Sequence, residues 1–226
     1  MIATSTTSCG GRACLLGAEQ PAGIVALMIE RLLDIEVSAL SDADRGLPLV
    51  DRAIRPMVPG VKFAGPAFTV TAPGDLMPVY RALAEATAGD VLVIDTQGTV
   101  DAVLGEIFTT EAHRRDLAAI VVDGWCRDLA GIRRIGLPLF ARGAVPNAVP
   151  GVDRTPLGGT VRCGGIDVSP GDIVFGDDDG LLIAAPDRIE AALPAAEAII
   201  AKEREVLRAM RAGEPLHDHL VLETDG

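Results

Sequence analysis

Apolar residues recur at two different periods along this chain, and the switches between those periods mark out its elements. Over residues 21–40, Ile24, Leu27, Met28, Leu32 and Leu33 return at steps of three and four, with Glu30, Arg31 and Asp34 between them. That pattern predicts a helix. Ser41-Asp42-Ala43-Asp44 reads as a new helix start or a turn, and residues 56–66, punctuated by Pro and Gly, read as a loop. Ala67-Phe68-Thr69-Val70-Thr71 is short and β-prone. Val91-Leu92-Val93-Ile94-Asp95 and residues 118–123 are almost wholly apolar, as expected of strands covered on both faces. Residues 76–88 and 105–115 read as helices, and residues 129–135 as a short helix closed by Gly136 and Pro138. Leu139-Phe140-Ala141 is a further strand. A Pro/Gly-rich excursion over residues 146–159 precedes short strands around Val161, at 173–175 and at 181–184. Residues 187–211 form a long, Ala-rich, charge-laced helix with Asp187 placed to cap it.

Strands that alternate with helices and then cluster after residue 160 predict a layered α/β architecture, not a doubly wound nucleotide-binding fold. No G-x-G-x-x-G follows a strand and no P-loop occurs, so no nucleotide cofactor is expected. With 226 residues, one domain over 21–226 is expected, after a flexible Ser/Thr/Gly-rich segment at 1–20. Aromatic residues are 3% of the chain, so Ala, Val, Leu and Ile must build its core.

The formal net charge of −12 changes the range of partners. Phosphate backbones would repel such a chain, and the pairs Arg114-Arg115 and Arg133-Arg134 read as solvated helix faces, so nucleic acid is not an expected partner. Four cysteines, Cys9, Cys14, Cys126 and Cys163, fit neither a zinc framework nor a secreted disulfide pattern. They read as reduced thiols of a cytoplasmic protein. Neither a secretory signal nor a membrane-spanning run is legible.

Candidate chemistry gathers in the middle. Gly105 stands where a loop turns into a helix, and free amides at such a start can hold a carboxylate. Arg127 and Asp128 follow the strand at 118–123, at the end where α/β sheets commonly place ligands. Arg127 can grip a carboxylate or polarise a carbonyl, and Asp128 offers a hard oxygen to Mg²⁺ or Mn²⁺. By themselves these residues also fit a turn glycine and a helix-start ion pair with Asp128 as cap.

Glu106, then twenty residues, then Arg127-Asp128, with Gly-Leu-Pro-Leu-Phe-Ala-Arg-Gly over 136–143, resembles the RraA-like family, which includes the 4-hydroxy-4-methyl-2-oxoglutarate aldolases. The likeness runs from about residue 22 and takes in Ile54-Arg55-Pro56, residues 65–70, residues 89–95, Cys163-Gly164-Gly165, residues 170–174 and Asp177-Asp178-Asp179-Gly180. It implies a layered fold akin to the swivelling phosphohistidine domain, assembled as a trimer or hexamer. It also implies a lyase cleaving a small pyruvate-type oxo acid through a pyruvate enolate, by aldol cleavage or by oxaloacetate decarboxylation. In that scheme Asp128 binds the metal directly and Glu106 through water. Arg127 holds the substrate's oxo and carboxylate oxygens, and backbone amides near Gly105, Ile107 and Phe108 complete the carboxylate site. A Glu from a neighbour's C-terminal helix contributes, and Glu203 and Glu205 lie in the matching region.

Gly131 departs from the family pattern, which has an acid there to hold a water. Aldol cleavage should therefore be weak, and an acid at 131 should strengthen it. The same resemblance carries an alternative from another class, a non-catalytic regulator that binds a ribonuclease. Other tempting residues have plainer roles. Asp177-Asp178-Asp179-Gly180 reads as a strand-connecting turn, His113 as a surface or interface residue, His217 and His219 as part of a polar tail, and Cys126 as a thiol without a histidine to activate it. Trp125 either walls the pocket or packs in the core.

Overall fold

In this computed structural model the chain is described for residues 22–152 and 158–219. The segment expected at 1–20, with Cys9 and Cys14, lies outside the described residues. The order is α1 (Ala22–Leu33), α2 (Val37–Ala43), β1 (Arg55–Pro56), β2 (Phe63–Thr71), α3 (Met77–Glu85), β3 (Val91–Asp95), β4 (Ala102–Leu104), α4 (Glu106–Arg114), β5 (Ala119–Cys126), α5 (Leu129–Ile135), β6 (Leu139–Ala144), β7 (Val161–Cys163), β8 (Ile166–Val168), β9 (Ile173–Asp177), β10 (Gly180–Ala184) and α6 (Pro186–Arg211). The architecture is mixed α/β, as the alternation predicted.

Eight strands form one sheet in the order β1-β6-β5-β3-β2-β9-β10, with β4 added to β5. The pairs β2–β3, β3–β5 and β5–β6 are parallel, and β9 and β1 join antiparallel. Alternate residues of the central strands serve opposite layers. Leu92, Ile94, Ile120 and Val122 face the layer of α3, α4 and α5. Val91, Val93, Ala119 and Val121 join Phe63, Phe140 and Val174 on the other side. Burial on both faces is why these strands read as unbroken apolar runs.

The sheet is strongly curled. Phe63 on β2 and Phe140 on β6 are separated by two intervening strands, yet their rings meet edge-on with centroids 5.6 Å apart. Three flat inter-strand steps would span roughly 14 Å. Helices α1, α2 and α6 cover β9 and β10 in a third apolar cluster.

Several elements differ from the sequence-based expectation. The helix expected over 21–40 is two helices, because the chain turns at Asp34 and Ile35 and restarts with the Val37 amide donating to Asp177 Oδ2 at 2.9 Å. Ser41, Asp42 and Ala43 therefore end α2, with Asp44 as its C-cap. Residues 63–66, expected in a loop, pair with β9. Asp187 is not the cap of α6. Ala185 holds that position with Pro186 at the first turn, and the Asp187 carboxylate accepts from the Arg188 amide instead.

Asp177, Asp178 and Asp179 do form a turn. Asp177 pairs with Gly180 across the β9–β10 hairpin, and Asp178 accepts from the Gly60 amide. No helix among the described residues is long and apolar enough to cross a membrane.

Candidate active site

The strand carrying the candidate residues runs further than its apolar pattern showed. β5 extends to Cys126, where β4 pairs alongside it, with Leu104 opposite Cys126. The Arg127 amide then donates to the Leu104 carbonyl at 3.1 Å. This short pairing brings the chain after β4 (Gly105, Glu106) against the chain after β5 (Arg127, Asp128). A three-residue strand buried within such a contact has no periodicity to read, and no strand was expected over 102–104.

Asp128 takes a left-handed backbone, φ 61° and ψ 40°, at the N-cap position of α5. Asp tolerates that region better than most residues. Its side chain makes no cap bond to α5. It turns instead across the start of α4, where Glu106 N–H donates to Oδ2 over a long 3.4 Å. Gly105 makes the approach possible, since a Cβ there would collide with Asp128 Oδ2 and lie 2.9 Å from Arg127 Cγ. The requirement at Gly105 is one of space, since its φ of −157° is ordinary extended backbone.

Arg127 Nε donates to both Asp128 oxygens at 3.2 Å. Its Nη groups have no partner among the described residues, so four N–H bonds remain for a ligand. The first-turn amides of Ile107 and Phe108 likewise lack intrahelical acceptors, as at any helix start. Gly105, Ile107, Phe108, Arg127 and Asp128 all line one cleft of about 230 Å³, together with Leu76 and Ala148. Arg127 and Asp128 also border a second opening of about 390 Å³ beside Ala144, Val145 and Pro146.

Glu106 does not line that cleft. Its carboxylate lies over Gly131 and accepts from Arg134 Nη2 at 3.1 Å. Arg134 had read as part of a solvated face, and its link to Glu106 spans 28 residues, beyond any local signal. Its neighbour Arg133 donates to the Met57 carbonyl, so neither is idle.

As donors to a metal, Asp128 and Glu106 offer hard carboxylate oxygens. Among the described residues no group of three or more His, Cys, Asp or Glu side chains is arranged to hold an ion. That donor set fits Mg²⁺ or Mn²⁺ that keeps most of its waters, and does not fit a four-coordinate zinc centre. Glu203 and Glu205 are exposed on α6.

Trp125 lines neither cleft and packs over Gly143, where a Cβ would meet its ring at 2.8 Å. Burial pushes the Cys126 thiol up to about 11 and the Cys163 thiol up to about 12, so neither is a nucleophile at neutral pH. His113 is exposed near the end of α4. His217 and His219 face Asp218 and Glu214.

A larger cleft of about 920 Å³ lies between residues 49–57 and the Asp178–Asp179 turn. Two of its three acids already hold the fold together. Asp51 accepts from the Ala53 amide and Arg142, and Asp178 from the Gly60 amide. Reactive groups converge at the smaller cleft, and chemistry is better assigned there.

Comparison with known proteins agrees with this placement of elements. The sequence profile of the RraA-like family, described as Aldolase/RraA, matches residues 37–183. A provisionally named 4-hydroxy-4-methyl-2-oxoglutarate aldolase from Halalkalibacterium halodurans is 33% identical over 171 residues, 75% of this chain and 81% of that protein. An uncharacterised protein from Pseudomonas syringae pv. tomato shares the fold, with a TM-score of 0.75 at 24% identity over 86% of this chain and 96% of its own. The RNA-processing inhibitor RraA from Thermus thermophilis matches with a TM-score of 0.62 at 27% identity, over 66% of this chain and 92% of its own.

Proposed function

The chain belongs to the RraA-like family, and we propose that it is a divalent-metal-dependent lyase that cleaves a small pyruvate-type oxo acid at the Arg127–Asp128 cleft. The observation that carries this reading is convergence. A guanidinium with unoccupied donors, a carboxylate and the open amides of α4 face one small cleft.

The pyruvyl carboxylate sits at the amides of Ile107 and Phe108, where the helix start favours negative charge. Arg127 donates through Nη to the 2-oxo oxygen and so stabilises the negative charge that develops there. In aldol cleavage the C4 hydroxyl proton leaves to a base and the C3–C4 bond breaks. Its electron pair remains on the pyruvyl half as the enolate, which takes a proton at C3 to give pyruvate, while C4 departs as a carbonyl. Glu106 is the base we assign, acting through a water. In oxaloacetate decarboxylation the same enolate forms as carbon dioxide leaves, and no hydroxyl proton has to move. Mg²⁺ or Mn²⁺ held by Asp128, with Glu106 reaching it through water, would add positive charge beside the 2-oxo oxygen.

A homo-oligomer, trimer or hexamer, is part of the proposal. Past Ile200, α6 leaves the core and is largely exposed to Arg211, including Leu207 and Met210. Glu203 and Glu205 lie on this uncovered stretch, available to a neighbouring copy. A cytoplasmic location accords with the thiols of Cys126 and Cys163, both free.

The likeness to the Thermus RNA-processing inhibitor favours a second reading, a protein-binding regulator of a ribonuclease. Pyruvate release from a panel of oxo acids, with Mg²⁺ or Mn²⁺ and with chelator, separates the two when run beside a ribonuclease-inhibition assay. Metal-dependent pyruvate release supports the lyase. Inhibition without pyruvate release from any oxo acid would replace it with the regulator.

A further inference from the structure

Val122 on β5 lies opposite Ala141 on β6, and Trp125 lies opposite Gly143. Between those pairs β5 has one residue more than β6, so Asp123 and Gly124 together stand against Arg142. Such a bulge bends its strand and re-aims the residues that follow. Here those residues are Trp125, Cys126 and then Arg127 and Asp128. Past the bulge the new phase is held from both sides. Cys126 pairs with Ala144 and with Leu104, and the Val145 amide donates to the Cys126 carbonyl at 2.9 Å.

Three groups pin the bulge. Arg142 Nε donates to Asp123 Oδ1, and the Gly164 amide donates to Asp123 Oδ2 at 2.7 Å. Thr96, fully buried just after β3, donates its hydroxyl to the Asp123 carbonyl at 2.6 Å. The same side chain fills the space beside Gly124, where a Cβ would come within 2.6 Å of it. Hydrogen bonds to an ionised carboxylate are stronger than neutral ones, and this carboxylate is only 16% exposed. Arg142 reaches on through Nη1 to Asp51 at 3.2 Å, which ties the bulge to the chain leading into β1. Were the extra residue lost from the pairing, the end of β5 would slide by one residue, about 3.3 Å, against β6. A displacement of roughly 1 Å at reacting groups is already costly.

We propose that Thr96, Asp123 and Arg142 are positioning residues: by holding the extra residue in β5 they set where Arg127 and Asp128 stand. None of the three lines the cleft, so they act through the strand. Their part in the reaction rests on the lyase reading, whereas their hold on the end of β5 does not. Arg142 and Gly164 belong to two stretches of the family likeness, residues 136–143 and Cys163-Gly164-Gly165, and the bulge gives both a task.

Trp125, the chain's one tryptophan, stands between the bulge and Arg127 and packs over Gly143, so its fluorescence reports the placement without turnover. Thr96→Val keeps the shape of the side chain, but a methyl cannot come as close to the Asp123 carbonyl as the hydroxyl does, so the bulge must yield. In the full chain with Mg²⁺, kcat for pyruvate release should fall by about tenfold or more. Trp125 emission should shift in the same variant without metal. Thr96→Ser keeps the hydroxyl and should restore both. Asp123→Asn sets an amide N–H₂ against one of its two donors and should reproduce the Thr96→Val result, and it carries the test should Thr96→Val not fold. A purely structural role predicts a lower melting temperature in these variants, with wild-type kcat and wild-type emission in the folded protein. That outcome, or a shifted emission with wild-type kcat, would overturn the proposal. If the unaltered protein released pyruvate from no oxo acid, the lyase reading would fall and the emission would still decide. Unchanged emission would then overturn the hold of the bulge on the end of β5, and a shift would uphold it.

Discussion

Gly131 lies directly beneath the Glu106 carboxyl group. A Cβ built on it would overlap Glu106 Cδ and Oε2 and stand 2.7 Å from Cγ. Position 131 is therefore not the empty place for an added acid that the sequence implied. Glu106 fills it.

The expected effect of substitution at 131 changes accordingly. The Glu106–Arg134 pair is exposed, 45% and 69%, so it is worth at most about 1 kcal/mol and Glu106 can be displaced. Gly131→Ala should push Glu106 off Arg134 and lower aldol cleavage by about tenfold, with oxaloacetate decarboxylation less affected. Thermal stability should not fall in step, because alanine favours the helix over glycine by about 1 kcal/mol. Gly131→Glu should evict Glu106 in the same way and not improve aldol cleavage. Steady-state rates on both substrates decide the matter, and an undiminished aldol rate in Gly131→Ala would show that Glu106 is not the base.

Gly105→Ala is the sharper steric probe. Its Cβ would collide with Asp128 Oδ2 and crowd Arg127 Cγ, while its backbone is one any residue adopts. The chain should fold, as read by circular dichroism, yet lose on the order of a hundredfold in kcat, the expected effect of a displacement near 1 Å at a reacting centre. Wild-type kcat in this variant would mean that the Arg127–Asp128 arrangement is not the working one.

These tests also show where the sequence was and was not legible. Strands β3 and β5 announced themselves because both faces are buried, and α5 because Gly136 closes it in a left-handed turn. Arg127 and Asp128 were singled out by their place after the strand at 118–123, whereas Glu106 entered only through family spacing, having no local pattern of its own. The break between α1 and α2 was hidden because Asp177, 140 residues away, provides the bond that restarts the helix. Leu76 and Ala148 were missed as cleft residues for a related reason. They reach the site from segments that read as a helix start and a loop, brought together only by tertiary folding.

The buried thiols give a pH prediction. Desolvation raises Cys126 to about 11 and Cys163 to about 12, above the ordinary value of 9.0. The folded chain therefore holds those protons longer than the unfolded chain. Their stabilising contribution is complete below the ordinary thiol value and is lost as pH rises through the folded values. Native protein at pH 8 should leave both residues unalkylated in a mass-spectrometric footprint, and unfolding with urea should expose them. Fast alkylation of either thiol in the native protein would contradict the burial.

The central claim is that Asp128 anchors the chemistry, and Asp128→Asn tests it most directly. Asparagine tolerates the left-handed backbone at this position, so the substitution removes the charge without the strain that alanine would add at φ 61°. Pyruvate release at matched Mg²⁺, from wild type and variant of equal thermal stability, is the measurement. The account predicts that wild-type release is stimulated by Mg²⁺ and abolished by chelator, and that the variant loses on the order of a hundredfold with no response to added metal. Full metal-stimulated turnover in Asp128→Asn would contradict it.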